Sequence, residues 1–162
     1  MRITASEVAL ATGGTLVGDD ISANGISFDS RALSGHQAFV AIRADRDGHD
    51  FLHNAVENGA SFAIVETGRS IPEMTCVEVA DTVEALAALG RHCRNRLSPT
   101  LRGRVVGITG SVGKTGVKEA IFASLERSCR GQAHRSIRSY NNHVGVPLTL
   151  YSAISCFFSS AV

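Results

Sequence analysis

Several features that would place a chain in a special class are scarce or missing here. The 162 residues include no Trp and only 3 Pro, which excludes collagen-like and proline-rich proteins. No stretch comes near the roughly 18 consecutive apolar residues of a membrane-spanning helix, and the N-terminus lacks the apolar core of a signal peptide. We therefore expect a cytoplasmic globular protein without a membrane span.

Metal-binding patterns are equally scarce. The 4 cysteines, at positions 76, 93, 129 and 156, form no C-x-x-C pair, which argues against a zinc knuckle or a thioredoxin-like site. His49 and His53 have a spacing that can hold zinc on a helix, but no third ligand accompanies them. The sequence therefore predicts reduced, mostly buried thiols and no zinc site.

The charges are distributed unevenly, although the formal net charge is only +1. Residues 1–90 carry 5 Lys or Arg and 13 Asp or Glu, a balance of −8, whereas residues 91–162 carry 11 and 2, a balance of +9. A basic second half suits an anionic ligand, and simple attraction between two halves of opposite sign is the alternative. Nucleic acid is not an expected partner, because the arginines of residues 127–138 have only Tyr140 nearby for base stacking.

Residues 1–97 alternate between strand and helix patterns. Thr4 and Glu7 fit a capping box at the start of a first helix, which Gly13 and Gly14 end. Strands are predicted at residues 15–17, 25–29, 37–42, 61–66 and 76–79, and further helices at 50–58, capped by Asp50 and ended by Gly59, and at 82–97. Such alternation is typical of an α/β fold with a mainly parallel sheet.

A second region begins where composition and charge both change. Ser98 and Pro99 are expected to break the helix, so the sequence predicts a domain boundary there. The predicted parts are an N-terminal α/β domain at residues 1–98, the start of a second α/β domain at 99–150, and a Ser-rich apolar tail at 151–162. Within the second domain we expect a buried strand over 104–109 and a helix over 115–127.

The segment G-I-T-G-S-V-G-K-T, residues 107–115, lies between this predicted strand and helix, as a phosphate-binding loop requires. Gly110 and Gly113 allow backbone conformations closed to other residues, so N–H groups of the loop and of the helix start can surround phosphate oxygens. Lys114 would supply a positive charge to the β- and γ-phosphates, and the Thr115 hydroxyl could ligate Mg²⁺. An ordinary glycine-rich turn is the alternative.

The loop is a variant of the general G-x-x-x-x-G-K-[ST] pattern, with glycines at 107 and 110, and it resembles the ATP-binding loop of the Mur ligases. These are ATP-dependent amide-forming enzymes of peptidoglycan synthesis.

Further segments similar to the family are F-D-S-R at residues 28–31, Q-A-F-V-A at 37–41, D-G-H-D-F at 47–51 and N-N-H-V-G-V-P-L-T-L at 141–150. The last resembles the branch that adds D-Ala-D-Ala to UDP-MurNAc-tripeptide. The resemblance covers residues 1 to about 150 and implies a UDP-MurNAc-binding domain followed by the first part of a P-loop, parallel-sheet ATPase domain.

The resemblance also implies roles for individual residues. The implied substrate-binding residues are Ser30, Arg31, Asp45, Arg46, Asn141 and Asn142. The implied ATP-binding residues are Gly110, Ser111, Val112, Gly113, Lys114, Thr115 and Gly116. Lys114 and Thr115 would be catalytic, and Thr115 would hold Mg²⁺. Ser30 would contact the uridine and Arg31 the diphosphate, although both residues also fit a plain polar turn.

In the implied reaction, ATP phosphorylates the substrate carboxylate to an acyl phosphate, the amine of D-Ala-D-Ala attacks it, and phosphate leaves. Family members carry a metal-binding Glu, a His, a carbamylated Lys and an amine-positioning domain beyond the matched region. None of these occurs within the 162 residues, so we expect this polypeptide to be a truncated, inactive monomer. The alternatives are a non-catalytic nucleotide- or UDP-sugar-binding protein and the diaminopimelate-adding branch.

Overall fold

The computed structural model describes residues 2–101, 105–128, 133–136 and 143–159, with only the backbone at 98–101 and 154–159. The chain divides into two compact units, Met1–Leu89 and Gly90–Val162. The strands are β1 Ile3–Thr4, β2 Thr15–Val17, β3 Ser22–Ala23, β4 Ile26–Ser27, β5 Ala38–Val40, β6 Phe62–Glu66 and β7 Cys76–Val79. The helices are α1 Ala5–Thr12, α2 Leu52–Glu57, α3 Thr82–Leu101, α4 Lys114–Ser128 and α5 Gly145–Ser159.

The first unit is built around a five-stranded sheet with the strand order β2-β7-β6-β5-β4. Strands β4 to β7 run parallel, with Ala38 opposite Phe62 and Ala63 opposite Cys76, and β2 pairs antiparallel with β7. A separate antiparallel pair joins β1 and β3. The α/β class and the mainly parallel sheet predicted from the sequence are therefore confirmed.

The two central strands are buried, which is why they form unbroken apolar runs rather than an alternating pattern. Phe39 in β5 and Ile64 in β6 are completely inaccessible to solvent. Leu52 and Ala55, from α2, share a core cluster with Phe39. Each large side chain buried in this way stabilises the fold by roughly 1.5–3 kcal/mol.

Helix α1 begins and ends as its sequence predicts. The Thr4 side chain accepts a hydrogen bond from the Glu7 N–H at 3.1 Å, which satisfies one of the unpaired N–H groups of the first turn. Gly13 ends the helix with φ at 69°, a left-handed conformation that costs glycine little. The predicted bounds also hold for β2 and β7, whereas β4, β5 and β6 are shorter than predicted.

The start of the segment before α2 was predicted wrongly. Asp47, not Asp50, provides the cap, and its side chain accepts a hydrogen bond from the His49 N–H at 3.0 Å. A 3₁₀ turn at Gly48–Phe51 then leads into α2, which Gly59 follows with φ at 76°. The earlier cap is favoured because Gly48 approaches the backbone of Ala41 and Ile42, the residues that follow β5, and this approach fixes the turn before Asp50 is reached.

Helix α3 does not break at Ser98 and Pro99, which corrects the sequence prediction. It continues to Leu101, and its side chains Cys93 and Leu97 are completely buried. Burial of this apolar face extends the helix against the cost of Pro99, which lacks the N–H of a regular helical residue. The division of domains at residue 98 stays a prediction, and the division into compact units falls earlier, between Leu89 and Gly90.

The buried strand expected over residues 104–109 is also not found. The described part of this segment, residues 105–109, has no regular structure, and Val105 and Val106 are 44% and 56% exposed. A strand needs a hydrogen-bonded neighbour, and the described residues of the second unit contain no strand. The segment therefore has the apolar composition of a strand, but the described residues of the second unit contain no strand with which it could pair.

Helix α4 follows the glycine-rich loop as predicted, but none of its residues is fully buried. Residues 133–136 pack beside it. The Lys118 ammonium donates to the Ser136 carbonyl at 2.9 Å, and Arg135 pairs with Glu119 at 3.0 Å. The Arg135 guanidinium also lies 3.8 Å from the centre of the Phe122 ring. These contacts are mostly polar and partly exposed, so they stabilise the unit less than the apolar core of the first unit.

Hydrogen exchange should therefore distinguish the two units. We expect weak protection of the amides of α4 and strong protection of those in β5 and β6, because opening free energies follow buried apolar contact. Native-state exchange followed by mass spectrometry measures this directly. Equal protection of α4 and the two central strands would contradict the expectation.

Candidate substrate and phosphate sites

Three polar segments of the first unit follow neighbouring parallel strands. Residues 29–31 follow β4, residues 43–47 follow β5, and residues 67–69 follow β6. The carboxyl ends of parallel strands meet at one edge of the sheet, where ligands of open α/β sheets bind. The structure thus brings Ser30 and Arg31 to the same sheet edge as Asp45 and Arg46.

The Asp29-Ser30-Arg31 turn is held by its own side chains. Asp29 accepts a hydrogen bond from the Arg31 N–H at 3.1 Å and forms two bonds with its guanidinium, each 3.0 Å long. These side-chain hydrogen bonds from Arg31 hold the pKa of the Asp29 carboxyl below its usual range. Ser30 is buried, whereas the Arg31 side chain is 87% exposed. Arg31 can therefore meet an anionic ligand in a fixed orientation.

The segment after β5 is a short closed loop. Arg43 and Asp47 form an isolated antiparallel bridge, and the Ala44 N–H donates to the Arg46 carbonyl at 3.0 Å. The side chains of Asp45 and Arg46, in the middle of the loop, are exposed and have no described hydrogen-bond or ion-pair partner. We refer to residues 43–47 as the β5 loop. It presents two uncommitted charged side chains at the sheet edge.

Asp47, which is partly exposed, and His49, which is buried, form a polar pair that was not predicted as part of the site. The His49 Nε2 accepts a hydrogen bond from the Glu66 N–H at 3.0 Å, so Nδ1 carries the ring proton. Nδ1 lies 2.6 Å from Asp47 Oδ1 and donates to it. The imidazole is therefore neutral and bridges the β5 loop and β6. The D-G-H-D-F segment was the available signal, but the contact with Glu66 was not predictable from it.

The second oxygen of Asp47 faces two arginines. Arg69 Nη2 donates to Oδ2 at 3.0 Å and Arg43 Nε at 3.4 Å, while Arg43 also pairs with Glu66 at 3.2 Å. The backbone and side-chain hydrogen bonds from His49, with the nearby Arg43 charge, lower the pKa of Asp47 to about 2. Asp47 is thus ionised at neutral pH.

Stability should consequently fall in acid through Asp47. A carboxyl whose pKa is lowered on folding contributes fully above its unfolded value near 3.8, and that contribution is lost as the pH falls towards about 2. We expect Asp47→Asn to be less stable than the parent at pH 7 but to lose less stability between pH 4 and pH 2. Thermal melts across this range test the expectation. The Asp50→Asn control, which changes an exposed carboxylate of the same turn, should keep the parent's acid sensitivity.

The glycine-rich loop of the second unit has the backbone expected of a phosphate site. Gly110 and Gly113 have φ values of 148° and 79°, conformations that glycine adopts without strain. Ser111, Val112 and Gly113 are exposed. The loop leads directly into α4. At the start of this helix, the Val117 N–H donates to the Gly113 carbonyl. The N–H groups of residues 114–116 are therefore open to a ligand.

Lys114 is placed over the loop. Its ammonium donates to the carbonyls of Gly110 and Ser111, the latter at 3.4 Å, so the cation is held beside the exposed N–H groups. Thr115, the next residue, lies in the exposed first turn of α4, and Gly116 follows it. The positive φ values, the open helix N-terminus and the nearby cation fit an anionic phosphate ligand.

Some sequence predictions lie outside what the structure describes. Asn141 and Asn142 are not among the described residues, and neither are Cys129 or the side chain of Cys156. Cys76 and Cys93 are buried and form no disulfide bond, as predicted. The described residues contain no group of three His, Cys, Asp or Glu side chains suited to a metal ion. Among the helices that are described, none has both the length and the apolarity needed to cross a membrane.

The chain was compared with protein-family models, curated proteins and solved structures. No family model matches it. Among curated proteins, the UDP-N-acetylmuramoyl-tripeptide–D-alanyl-D-alanine ligase of Bacillus subtilis is 35% identical over 158 residues, covering 93% of this chain and 33% of that protein. The enzyme of the same name from Escherichia coli is 34% identical over 151 residues, with coverages of 93% and 32%.

Solved structures agree with the sequence matches. MurF from Acinetobacter baumannii superposes with a TM-score of 0.79 at 32% identity, covering 93% of this chain and 33% of that one. MurF ligase from Thermotoga maritima, crystallised in complex with ADP, gives a TM-score of 0.61 at 31% identity, with coverages of 78% and 28%. The chain spans about a third of the length of these relatives. Over that third, motifs, fold and identity agree in showing that the chain is similar to MurF ligases.

Proposed function

We propose that this chain provides the UDP-substrate domain and the phosphate loop of an ATP-dependent ligase that joins D-Ala-D-Ala to UDP-MurNAc-tripeptide. One observation carries the proposal. Three segments that resemble the family, residues 28–31, 47–51 and 107–115, lie at the carboxyl edge of the parallel sheet and at the N-terminus of α4, positions at which such folds commonly bind ligands. The names of the matched relatives supply the substrates.

In the first unit, the proposed ligand is the UDP end of the substrate. Arg31 and Arg46 are exposed cations on neighbouring segments of the sheet edge, which suits a diphosphate. Ser30 is buried in the adjoining turn and offers a hydroxyl for the uridine. Asp45 completes the exposed polar set of the β5 loop. Asn141 and Asn142 are proposed for the sugar–peptide part on the basis of their motif alone.

In the second unit, the proposed ligand is ATP. The substrate carboxylate would attack the γ-phosphoryl group with ADP as the leaving group, and the amine of D-Ala-D-Ala would then displace phosphate from the acyl phosphate. Lys114 would balance the charge that develops on the transferred group, and the N–H groups of residues 113–116 would orient it. The proposed Mg²⁺, held through Thr115, would neutralise phosphate charge when bound. Gly110, Ser111 and Val112 complete the loop around the phosphates.

Titration calorimetry with UDP-MurNAc-tripeptide tests the proposal for the first unit. We expect the unmodified chain to bind the ligand, and Arg31→Ala and Arg46→Ala to weaken binding by about 10-fold each, as lost charge-assisted hydrogen bonds do. Arg2→Ala removes an exposed arginine outside the site and serves as the control. Absence of binding to the unmodified chain would refute the assignment of the first unit.

The 162-residue polypeptide by itself is proposed not to complete the reaction. Phosphoryl transfer depends on positioning by a full set of groups, and the chain carries about a third of the length of its relatives. We expect no phosphate release above that of a Lys114→Ala control when ATP, UDP-MurNAc-tripeptide and D-Ala-D-Ala are all supplied. Release that requires both substrates and Lys114 would overturn this expectation.

A further inference from the structure

The β5 loop carries two residues of the proposed substrate site, Asp45 and Arg46, and neither side chain has a described partner to hold it. Their positions therefore depend on the shape of the loop backbone. That shape is set at one end by β5 and at the other by Asp47, the residue that closes the bridge with Arg43. What holds Asp47 thus decides where the two site residues lie.

The two carboxylate oxygens of Asp47 have separate partners. Oδ1 faces inward and accepts from the N–H and Nδ1–H of His49. Oδ2 faces the arginines and accepts from Arg69 at 3.0 Å and from Arg43 at 3.4 Å. The first set fixes the 3₁₀ turn at Gly48–Phe51. In the second set, Arg43 closes the β5 loop on itself and Arg69 ties the loop to a residue outside it.

Arg69 lies in the connection that follows β6, whereas Asp47 lies in the connection that follows β5. Arg69 follows β6 in a turn where its N–H donates to the Glu66 carbonyl at 3.0 Å and Gly68 has φ at 76°. It is separated from Asp47 by 22 residues of sequence. The Asp47–Arg69 contact therefore joins the connections after β5 and β6 at the sheet edge.

We propose that Asp47 and Arg69 are positioning residues, whose ion pair holds the β5 loop in the shape that presents Asp45 and Arg46 to the UDP part of the substrate. This inference rests on the function proposed for the first unit. The pair suits this role because it links the connection after β5 to the connection after β6 at the sheet edge. Both side chains are partly exposed, at 41% and 27%, so their pairing adds little to global stability.

Asp47→Asn separates the two functions of the carboxylate. Its amide oxygen can still accept from His49 and keep the 3₁₀ turn, whereas its NH₂ group would face the donors of Arg69 and Arg43. Arg69→Ala removes the same contact from the other side, and Arg69→Lys restores a single donor and the charge. Asp50→Asn, in the same 3₁₀ turn but exposed, is the matched control.

The test measures the affinity of the full chain for UDP-MurNAc-tripeptide and its thermal midpoint in parallel. We expect Asp47→Asn and Arg69→Ala to bind about 10-fold more weakly through lost preorganisation. Arg69→Lys should recover part of this loss, and Asp50→Asn should match the parent. We expect the midpoint of Arg69→Ala to change by only a few degrees, since exposed ion pairs contribute little.

The outcomes separate this inference from the function on which it rests. If the unmodified chain binds the ligand and Arg69→Ala binds equally well, the positioning role is overturned and the substrate site stands. If affinity and thermal midpoint fall together in every variant, including Arg69→Lys, the pair is structural and the inference is again overturned. If the unmodified chain does not bind, the proposed function fails, and the inference fails with it.

Discussion

Replacing Lys114 by Ala should reduce the affinity of the chain for MgATP by about 10- to 100-fold, because charge-assisted hydrogen bonds contribute about 1.5–3 kcal/mol. Lys114 holds its ammonium against the carbonyls of Gly110 and Ser111, beside the open N–H groups of the loop. The substitution leaves these N–H groups in place but removes the positive charge beside them, which would attract the phosphates. Fluorescence or calorimetric titration with MgATP measures the change.

The matched control is Arg127→Ala. Arg127 lies in the last turn of the same helix, is exposed, and carries the same charge as Lys114. Its removal changes the net charge equally but leaves the loop untouched, so we expect ATP affinity within about twofold of the parent at physiological ionic strength. Equal affinities of the parent and Lys114→Ala would remove the phosphate-loop assignment.

Gly48→Ala should destabilise the first unit more than any other single substitution considered for it. A Cβ at this position would lie 2.6 Å from the Ile42 nitrogen, 2.7 Å from the Ile42 oxygen and 2.8 Å from the Ala41 carbonyl carbon. All three atoms belong to the backbone just after β5, so the clash cannot be relieved by moving a side chain. The Gly48 N–H also donates to the Ile42 carbonyl at 2.9 Å, which fixes the approach.

We expect a loss of about 3 kcal/mol from this overpacking. For a unit of this size, such a loss lowers the thermal midpoint by roughly 12–24 °C. Circular dichroism melts measure it. Gly116→Ala is the control, because a Cβ there meets nothing within 4 Å and Gly116 lies in α4, where alanine is the better helix former. A midpoint for Gly48→Ala near that of the parent would show that the close approach is not present in solution.

The elements of the first unit were largely predictable, because local patterns and long-range packing agree there. Thr4 and Gly13 bound α1 by their own chemistry, and the apolar runs of β5 and β6 fit strands that are buried within a parallel sheet. The conformation of the glycine-rich loop was predictable for a similar reason. The positive φ values of Gly110 and Gly113 and the helix that begins at Lys114 depend mainly on the residues of the segment itself, and their role in binding phosphate stays a prediction.

The failures occurred where the outcome depends on distant residues. The apolar residues 105 and 106 indicated a strand, but a strand forms only beside another strand. Pro99 indicated a helix end, but burial of Leu97 extends α3 past it. The link between Asp47 and Arg69 joins residues far apart in the chain, and no spacing rule indicates such a contact. The sequence identified the β5 loop but not what holds it.

The central claim is that one chain carries a UDP-substrate site on its first unit and an ATP site on its second. Amide chemical-shift mapping tests both sites in one labelled sample, by titration first with UDP-MurNAc-tripeptide and then with MgATP. The account predicts that the first ligand shifts amides of residues 29–31 and 43–47 and that the second shifts amides of residues 110–117. Shifts from UDP-MurNAc-tripeptide that leave residues 29–31 and 43–47 unchanged, or shifts from MgATP that leave the loop before α4 unchanged, would contradict it.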